Sequence, residues 1–308
     1  MSTSGARGLS LGLIVLLALA SESAHGATAS VEQRMFETPE GAFQMLAAAV
    51  RADDTKALLG MLGKAARPLI SSGDTVADRA ARAQFVKSYD ASNRLQAGQG
   101  QIVLVIGQDN FPFPIPLVPD GPKWRFDAAA GEDEILRRAV GRNELGAVQV
   151  CLAYADAQRE YYSESRDSSD VLQFAQRLGS TTGKRDGLYW PTKAGEPRSP
   201  LGERVAKARA EGAGSAPAVP FLGYLYRILT AQGPDAAGGA YGYLANGKMI
   251  GGFALVASPA RWGASGVMTF LVNHAGVVYE KNLGPKTAEI ARQMKSFNPD
   301  QTWKRLEP

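Results

Sequence analysis

Two histidines, His25 and His274, and one cysteine, Cys151, are all the imidazole and thiol chemistry that 308 residues carry. A structural zinc site takes about four Cys or His ligands, so this inventory excludes one. No D-x-[DN]-x-[DN]-G loop marks a calcium site either. A serine nucleophile would need His274 as its base. That residue falls in the short turn His274-Ala275-Gly276 between two strand-like runs, and no G-x-S-x-G elbow surrounds any serine. The adjacent carboxylates Glu132, Asp133 and Glu134 are the one group suited to glycosidase-type acid and base work. Acidic residues at the start of a helix also have a dipole explanation, so both readings of that trio stand. No catalytic residue, cofactor or metal ligand is assigned from these patterns.

The segment 183–191, GKRDGLYWP, offers a different chemistry. Lys184, Arg185 and Asp186 precede Tyr189 and Trp190, whose flat amphipathic rings suit sugars, peptides or a protein partner. With Arg142 they form the candidate binding set. The bland reading of the same loop is that Trp190 fills a core while the charges cap neighbouring elements. Gly183-Lys184 is not a phosphate loop, because position 178, where the first glycine should stand, is Leu178. A second candidate surface is the proline-rich run 109–122, where Phe111 and Phe113 would line an apolar mouth; a packed irregular loop is its plainer reading.

An address precedes these elements. Arg7, the apolar run 9–20 and the small residues at 24–29 follow the order of a secretory signal peptide, assigned to residues 1–26. The run is short for a membrane span, which takes about 20 apolar residues, so membrane attachment is expected only through an uncleaved signal anchor. The expected location is the periplasm or the extracellular space. One thiol forms no internal disulfide, so such a protein would rest on its core alone. The 34 basic and 30 acidic residues give a net charge of +4 and are mixed along the chain, which argues against nucleic acid. The expected partner is an envelope protein or polymer.

Thr38-Pro39-Glu40 opens a helix through Val50, the run 55–62 is a second ended by Gly63, and 76–89 a third. Strands are expected at 101–107 and 124–126, with the proline-rich segment between them confined to a sheet edge or rim. A long helix is expected from Glu132 to Tyr162. Leu145, Val148, Leu152 and Ala155 form one covered stripe, Ala147, Cys151 and Tyr154 another. Cys151 then reads as a buried, inert thiol. Shorter helices follow at 171–178 and 199–211. Next comes an antiparallel meander at 224–229, 241–245, 248–257, 266–273 and 277–281, with an Asn246-Gly247 hairpin turn. A closing helix is expected over 287–297. The fold class is α+β: a small cone-like domain at 31–130, then a long helix packed on an antiparallel meander at 131–303.

Arg137-Arg138-Ala139-Val140-Gly141-Arg142-Asn143-Glu144-Leu145, the loop 183–191, Ser199-Pro200-Leu201-Gly202, the run 251–257 (GGFALVA) and 266–270 (GVMTF) together resemble a bacterial family, domain-of-unknown-function family 2950. The resemblance covers residues 36–303 and implies no activity. The opening pattern around Phe36 and Trp124-Arg125-Phe126-Asp127 looks like small nuclear-transport-factor-two or cystatin-like domains. The long helix with its meander and GGF strand looks like the head of type IV pilins and pseudopilins. A pilin, however, begins with its helix, whereas here about 100 residues separate the signal from it. The functional expectation is a non-catalytic envelope binding protein. A carboxylate-dependent hydrolase of a wall or extracellular polymer, and a pilin-like structural subunit, are the alternatives.

Overall fold

The computed structural model describes residues 33–165, 171–196, 198–207 and 219–307. The segment 1–26, read above as an export signal, lies outside them, as do residues 208–211 of the helix expected over 199–211. The chain divides into two compact units, Met1–Leu136 and Arg137–Pro308. Its class is α+β.

In the first unit Thr38 caps α1 (Pro39–Arg51), its hydroxyl accepting from Gly41 N–H at 3.1 Å. Phe43, Leu46 and Ala47 on one face of α1 are buried. Asp54 caps α2 (Thr55–Leu62) in the same way, and Gly63, at φ 87°, ends it in a conformation that a side chain would strain. A short α3 (Arg67–Ile70) precedes α4 (Thr75–Ala91), which Asp74 caps through the N–H groups of Val76 and Ala77. The strands β1 (Asn93–Gly98), β2 (Gln101–Ile106), β3 (Phe111–Pro112), β4 (Leu117–Asp120) and β5 (Lys123–Phe126) follow. They form one antiparallel sheet in the order β1-β2-β4-β5, with β3 also paired to β2. The core gathers Phe36, Phe43, Leu46, Leu104, Leu117 and Phe126, with Phe36 and Phe43 both edge-on to Phe126.

The proline-rich run departs from its expected place at a sheet edge, since β4 lies between β2 and β5. The prolines are accommodated by register. Trp124 spends its N–H and C=O on Phe36, so its pair with Pro119 is of the non-hydrogen-bonded kind and asks no donor of the proline. On the other side only Leu117 pairs with β2, and Pro119 lies beyond that contact.

The long helix is α5 (Ala128–Tyr162), four residues longer at its start than the sequence pattern indicates. Asp127 caps it, its carboxylate accepting from Ala130 N–H at 3.1 Å. Glu132, Asp133 and Glu134 therefore sit in the second turn rather than the first. Gly131 is inside the helix because a Cβ there would lie 2.6 Å from Ile115 Cγ1. The division between the two units falls within this helix.

In the second unit come α6 (Glu203–Lys207), β6 (Tyr224–Leu229), β7 (Ala231–Gln232), β8 (Tyr241–Gly242), β9 (Leu244–Ala245), β10 (Lys248–Met249), β11 (Ala254–Pro259), β12 (Met268–Asn273), β13 (Val278–Asn282), α7 (Thr287–Gln293) and β14 (Lys304–Arg305). The main sheet has the antiparallel order β14-β13-β12-β11-β6, and two small ribbons, β7-β8 and β9-β10, lie between β6 and β11 in the chain. Asn246 and Gly247, both at positive φ, turn β9 into β10 as expected of a two-residue hairpin loop. The expected continuous strand 248–257 is broken at Gly251-Gly252. Gly252 has φ 144°, and a Cβ on it would meet His274 Nδ1 at 2.8 Å.

The helix expected from Ser199 begins only at Glu203, since Ser199 Oγ donates to Leu201 O and Leu201 N–H to Leu188 O, so Ser199 does not cap it. Two further expected helices are corrected by hydrogen bonding. Over 171–178 there is none: Phe174 bridges to Met249, while the Gln158 side chain takes both the N–H and the C=O of Ala175, at 2.8 Å each. The helix expected over 287–297 stops at Gln293, where Arg227 donates to the carbonyls of Ala291 and Met294.

Along the second-unit part of α5, Ala147, Val150, Cys151, Tyr154, Ala155, Ala157, Gln158 and Tyr161 are buried. Leu145 is 71% exposed and Leu152 37%, against the expectation that their stripe is covered. The residues packed on α5 cover the face centred on Cys151 and Tyr154 and leave the arc through Leu145, Gln149, Leu152 and Asp156 open. Tyr154 donates its hydroxyl proton to Ala254 O at 3.2 Å and accepts from Gln158 at 3.0 Å, so the buried polar atoms are matched.

Candidate functional site

The first unit contains a cavity of about 170 Å³ that its own core does not fill. Its walls come from every helix of that unit: Leu46 and Val50 of α1, Leu58 and Leu62 of α2, Ile70 of α3, Ala81 and Phe85 of α4, with Phe113 and Ile115 from the proline-rich run. The hollow has a local cause. Helix α4 buries none of its residues and turns the small Ala77 and Ala81 toward the cavity, where larger side chains would close it. Phe85 and Phe113 meet edge to face at 5.5 Å and form one aromatic wall. Of the two phenylalanines expected at an apolar mouth, Phe113 lines the cavity, whereas Phe111 pairs with Ile106 and packs on the core.

The polar groups at this cavity are already committed. Asp78 accepts from Ser72 N–H at 2.9 Å, Ser72 Oγ at 2.7 Å and Ser71 Oγ at 3.0 Å, and these bonds hold its carboxyl below the usual range. Arg82 donates to Ile70 O at 2.9 Å and pairs with Asp53. They brace the rim. Most of what faces the space is hydrocarbon, and such a surface recognises apolar matter by area and shape.

The loop named from the sequence is built differently. Tyr189 exchanges backbone bonds with Leu178 and Ser180, and Leu188 N–H donates to Arg177 O. Gly187 passes so close that a Cβ would lie 2.7 Å from the Gly179 carbonyl carbon. Asp186 accepts from Thr181 N–H and Thr181 Oγ1, both at 2.7 Å. Burial opposes its ionisation, but these bonds and Arg177 prevail and hold its pKa below the usual value. Trp190 is 5% exposed and lies in the second-unit core, with the Arg185 guanidinium 5.4 Å from its ring centroid. Lys184 and Arg185 remain at the surface, Tyr189 half-buried beside them. Tyr161 donates to Arg185 O at 2.8 Å, which fixes the loop at the end of α5. Arg142 is exposed 19 residues earlier on that helix, about 28 Å away at 1.5 Å per residue. The candidate set is therefore split: 184–190 is one place and Arg142 another.

The remaining groups named from the sequence stand apart from this loop. Burial pushes the Cys151 thiol up to about 12, so it holds its proton at any ordinary pH and is no nucleophile. Burial and the nearby Arg159 lower the pKa of His274, which stands edge-on to Tyr243 at 5.9 Å. Glu132 and Asp133 are exposed on α5, and Glu134 is half-buried. Sequence reasoning missed the cavity because its walls are scattered over residues 46–135 without a motif. The readable trace was the Ala77, Ala81, Phe85 spacing of four on α4, a small-residue stripe beside an aromatic.

The family described as "Protein of unknown function (DUF2950)" matches residues 33–306, and the chain belongs to it. No curated protein and no solved structure matches the chain.

Proposed function

We propose that this is an exported, non-catalytic binding protein of the cell envelope whose first unit takes an apolar ligand, such as an acyl chain or an apolar side chain. The observation that carries the reading is the 170 Å³ hydrocarbon-lined cavity with its rim already hydrogen-bonded. Such a site has no free nucleophile or base to offer a substrate and gains affinity by burying apolar area. The signal-like segment 1–26 supports export, and the lone, sealed Cys151 suits a compartment in which thiols oxidise. Replacing Ala81 by Phe fills the cavity from an already helical position. Fluorescence titration with an apolar probe should show at least about tenfold weaker binding, since the filled space removes roughly two methylenes of contact. Unchanged binding by Ala81→Phe would remove the cavity from the account.

A pilin-like structural role is the second reading, favoured by the long α5 beside an antiparallel sheet. It predicts self-association, and a monomer at all concentrations in sedimentation would count against it. A hydrolase acting through Glu132, Asp133 or Glu134 predicts loss of polymer cleavage in the Glu132→Gln, Asp133→Asn and Glu134→Gln variants; equal cleavage by all three rejects it.

A further inference from the structure

A second cavity, of about 240 Å³, lies in the other unit between the main sheet and α7, and its chemistry is the opposite of the first. Arg227 of β6, Ser258 of β11 and Arg292 of α7 line it, among small or aliphatic neighbours and with no aspartate or glutamate in its walls. Arg227 is half-buried and spends one guanidinium nitrogen, Nη2, on the carbonyls of Ala291 and Met294. Its Nη1 and Nε donate to nothing among the described residues, and neither arginine is ion-paired there. Ser258 is 8% exposed, and its hydroxyl, which is not committed to another side chain among the described residues, borders the space. Two guanidinium groups with no carboxylate beside them and this hydroxyl therefore border one space. Burial lowers the pKa of Arg227, as expected of a guanidinium with no anion beside it.

We infer that this cavity binds a phosphoryl group. The choice of phosphate over carboxylate follows from the donors. With Nη2 engaged on α7, Arg227 lacks its free end-on fork, which is the usual match for a planar carboxylate. Donors on three different elements border the space instead, and a tetrahedral anion carries enough acceptor oxygens to meet them from several sides. The volume of about 240 Å³ leaves room beside a phosphate for a small alcohol or glycerol portion.

The test is titration calorimetry of the full chain at low ionic strength with glycerol 3-phosphate and with acetate. Co-sedimentation with phosphatidylglycerol vesicles, against phosphatidylcholine vesicles, runs beside it. Glycerol 3-phosphate should bind, more tightly than acetate and less tightly as salt rises. Arg292→Glu, at an exposed position, should weaken binding by at least about tenfold, and Ser258→Ala by a few-fold. Binding in solution without vesicle capture assigns a free phosphorylated molecule, and vesicle capture that Arg292→Glu abolishes assigns a lipid headgroup; both support a phosphoryl site. Overturning results are acetate binding as tightly as the phosphate, no binding of either phosphoryl source, or binding unchanged in Arg292→Glu with the variant folded by circular dichroism.

Discussion

The two units solve the problem of the hydrophobic interior in opposite ways. The second fills its core with large aromatic side chains and ties Tyr154 into a buried chain of hydrogen bonds from Ala254 O through Tyr154 to Gln158 and Ala175. Phe253 packs edge-on to Tyr154 and Phe174 at 5.6 Å and 4.9 Å, and Tyr224 lies against Phe270. The first unit is walled mostly by aliphatic residues, with alanines on α4 where the other unit has rings, and it stays hollow. Packing to crystal-like density gives a unique rigid core, while a retained apolar void loses dispersion contacts that a ligand restores. Close aromatic packing and an apolar space are thus found in different stretches of the chain, and the space that the second unit keeps, beside α7, is polar instead.

Substitutions that shrink a large side chain should separate the two regimes. Trp190→Ala, in the filled core, should cost about 3–5 kcal/mol by urea denaturation, the usual range for an aromatic truncated to alanine. Lys184→Ala in the same loop should change stability by less than about 0.5 kcal/mol. Comparable losses would mean that the loop is not anchored by its tryptophan. Gly131→Ala comes next, because its new Cβ must displace Ile115; a loss of about 1–3 kcal/mol is expected, and no loss would show that the first unit yields where the second would not.

The sealed thiol gives a smaller and purely kinetic contrast. In native buffer Cys151 should react with a maleimide only as fast as the second unit opens, and fully once urea unfolds it. Prompt labelling of the folded chain would contradict a closed core there. The mildest effect is on pH dependence. The folded-state pKa of His274 is lowered, so the folded state binds fewer protons than the unfolded state below the ordinary value of 6.5. Stability should therefore be fully present above that value and decline as pH falls through the folded pKa, and His274→Gln should remove this part of the slope in thermal melts between pH 7 and 5.

The elements with local signatures were legible in the sequence. Thr38-Pro39, Gly63, Asn246-Gly247 and the β-branched run after Gln101 act through their own backbone preferences, and each stands where those preferences put it. Strand β1 was not legible: it is exposed at nearly every position and shows no alternation, being held by its register to β2 through the Gln99-Gly100 turn. The run 171–178 carries a helical spacing of apolar residues, but a distant glutamine overrides it. The α+β class and the family resemblance were readable, because both rest on long patterned segments. Of the binding set, the loop 184–190 was readable as a loop, but whether Trp190 points outward or inward is a property of the surrounding core rather than of the loop. The cavity belongs to the same category, as a void is specified by what several elements jointly fail to fill.

The central claim is that the hollow in the first unit exists to receive apolar matter. Its most direct measurement is the affinity of the purified chain for straight-chain alcohols of increasing length. Each methylene buried contributes about 0.8 kcal/mol, so affinity should rise roughly fourfold per carbon until the cavity is full and then level off, and Ala81→Phe should bring the plateau at a shorter chain. Affinity that does not depend on chain length, or a plateau that Ala81→Phe leaves in place, would contradict it.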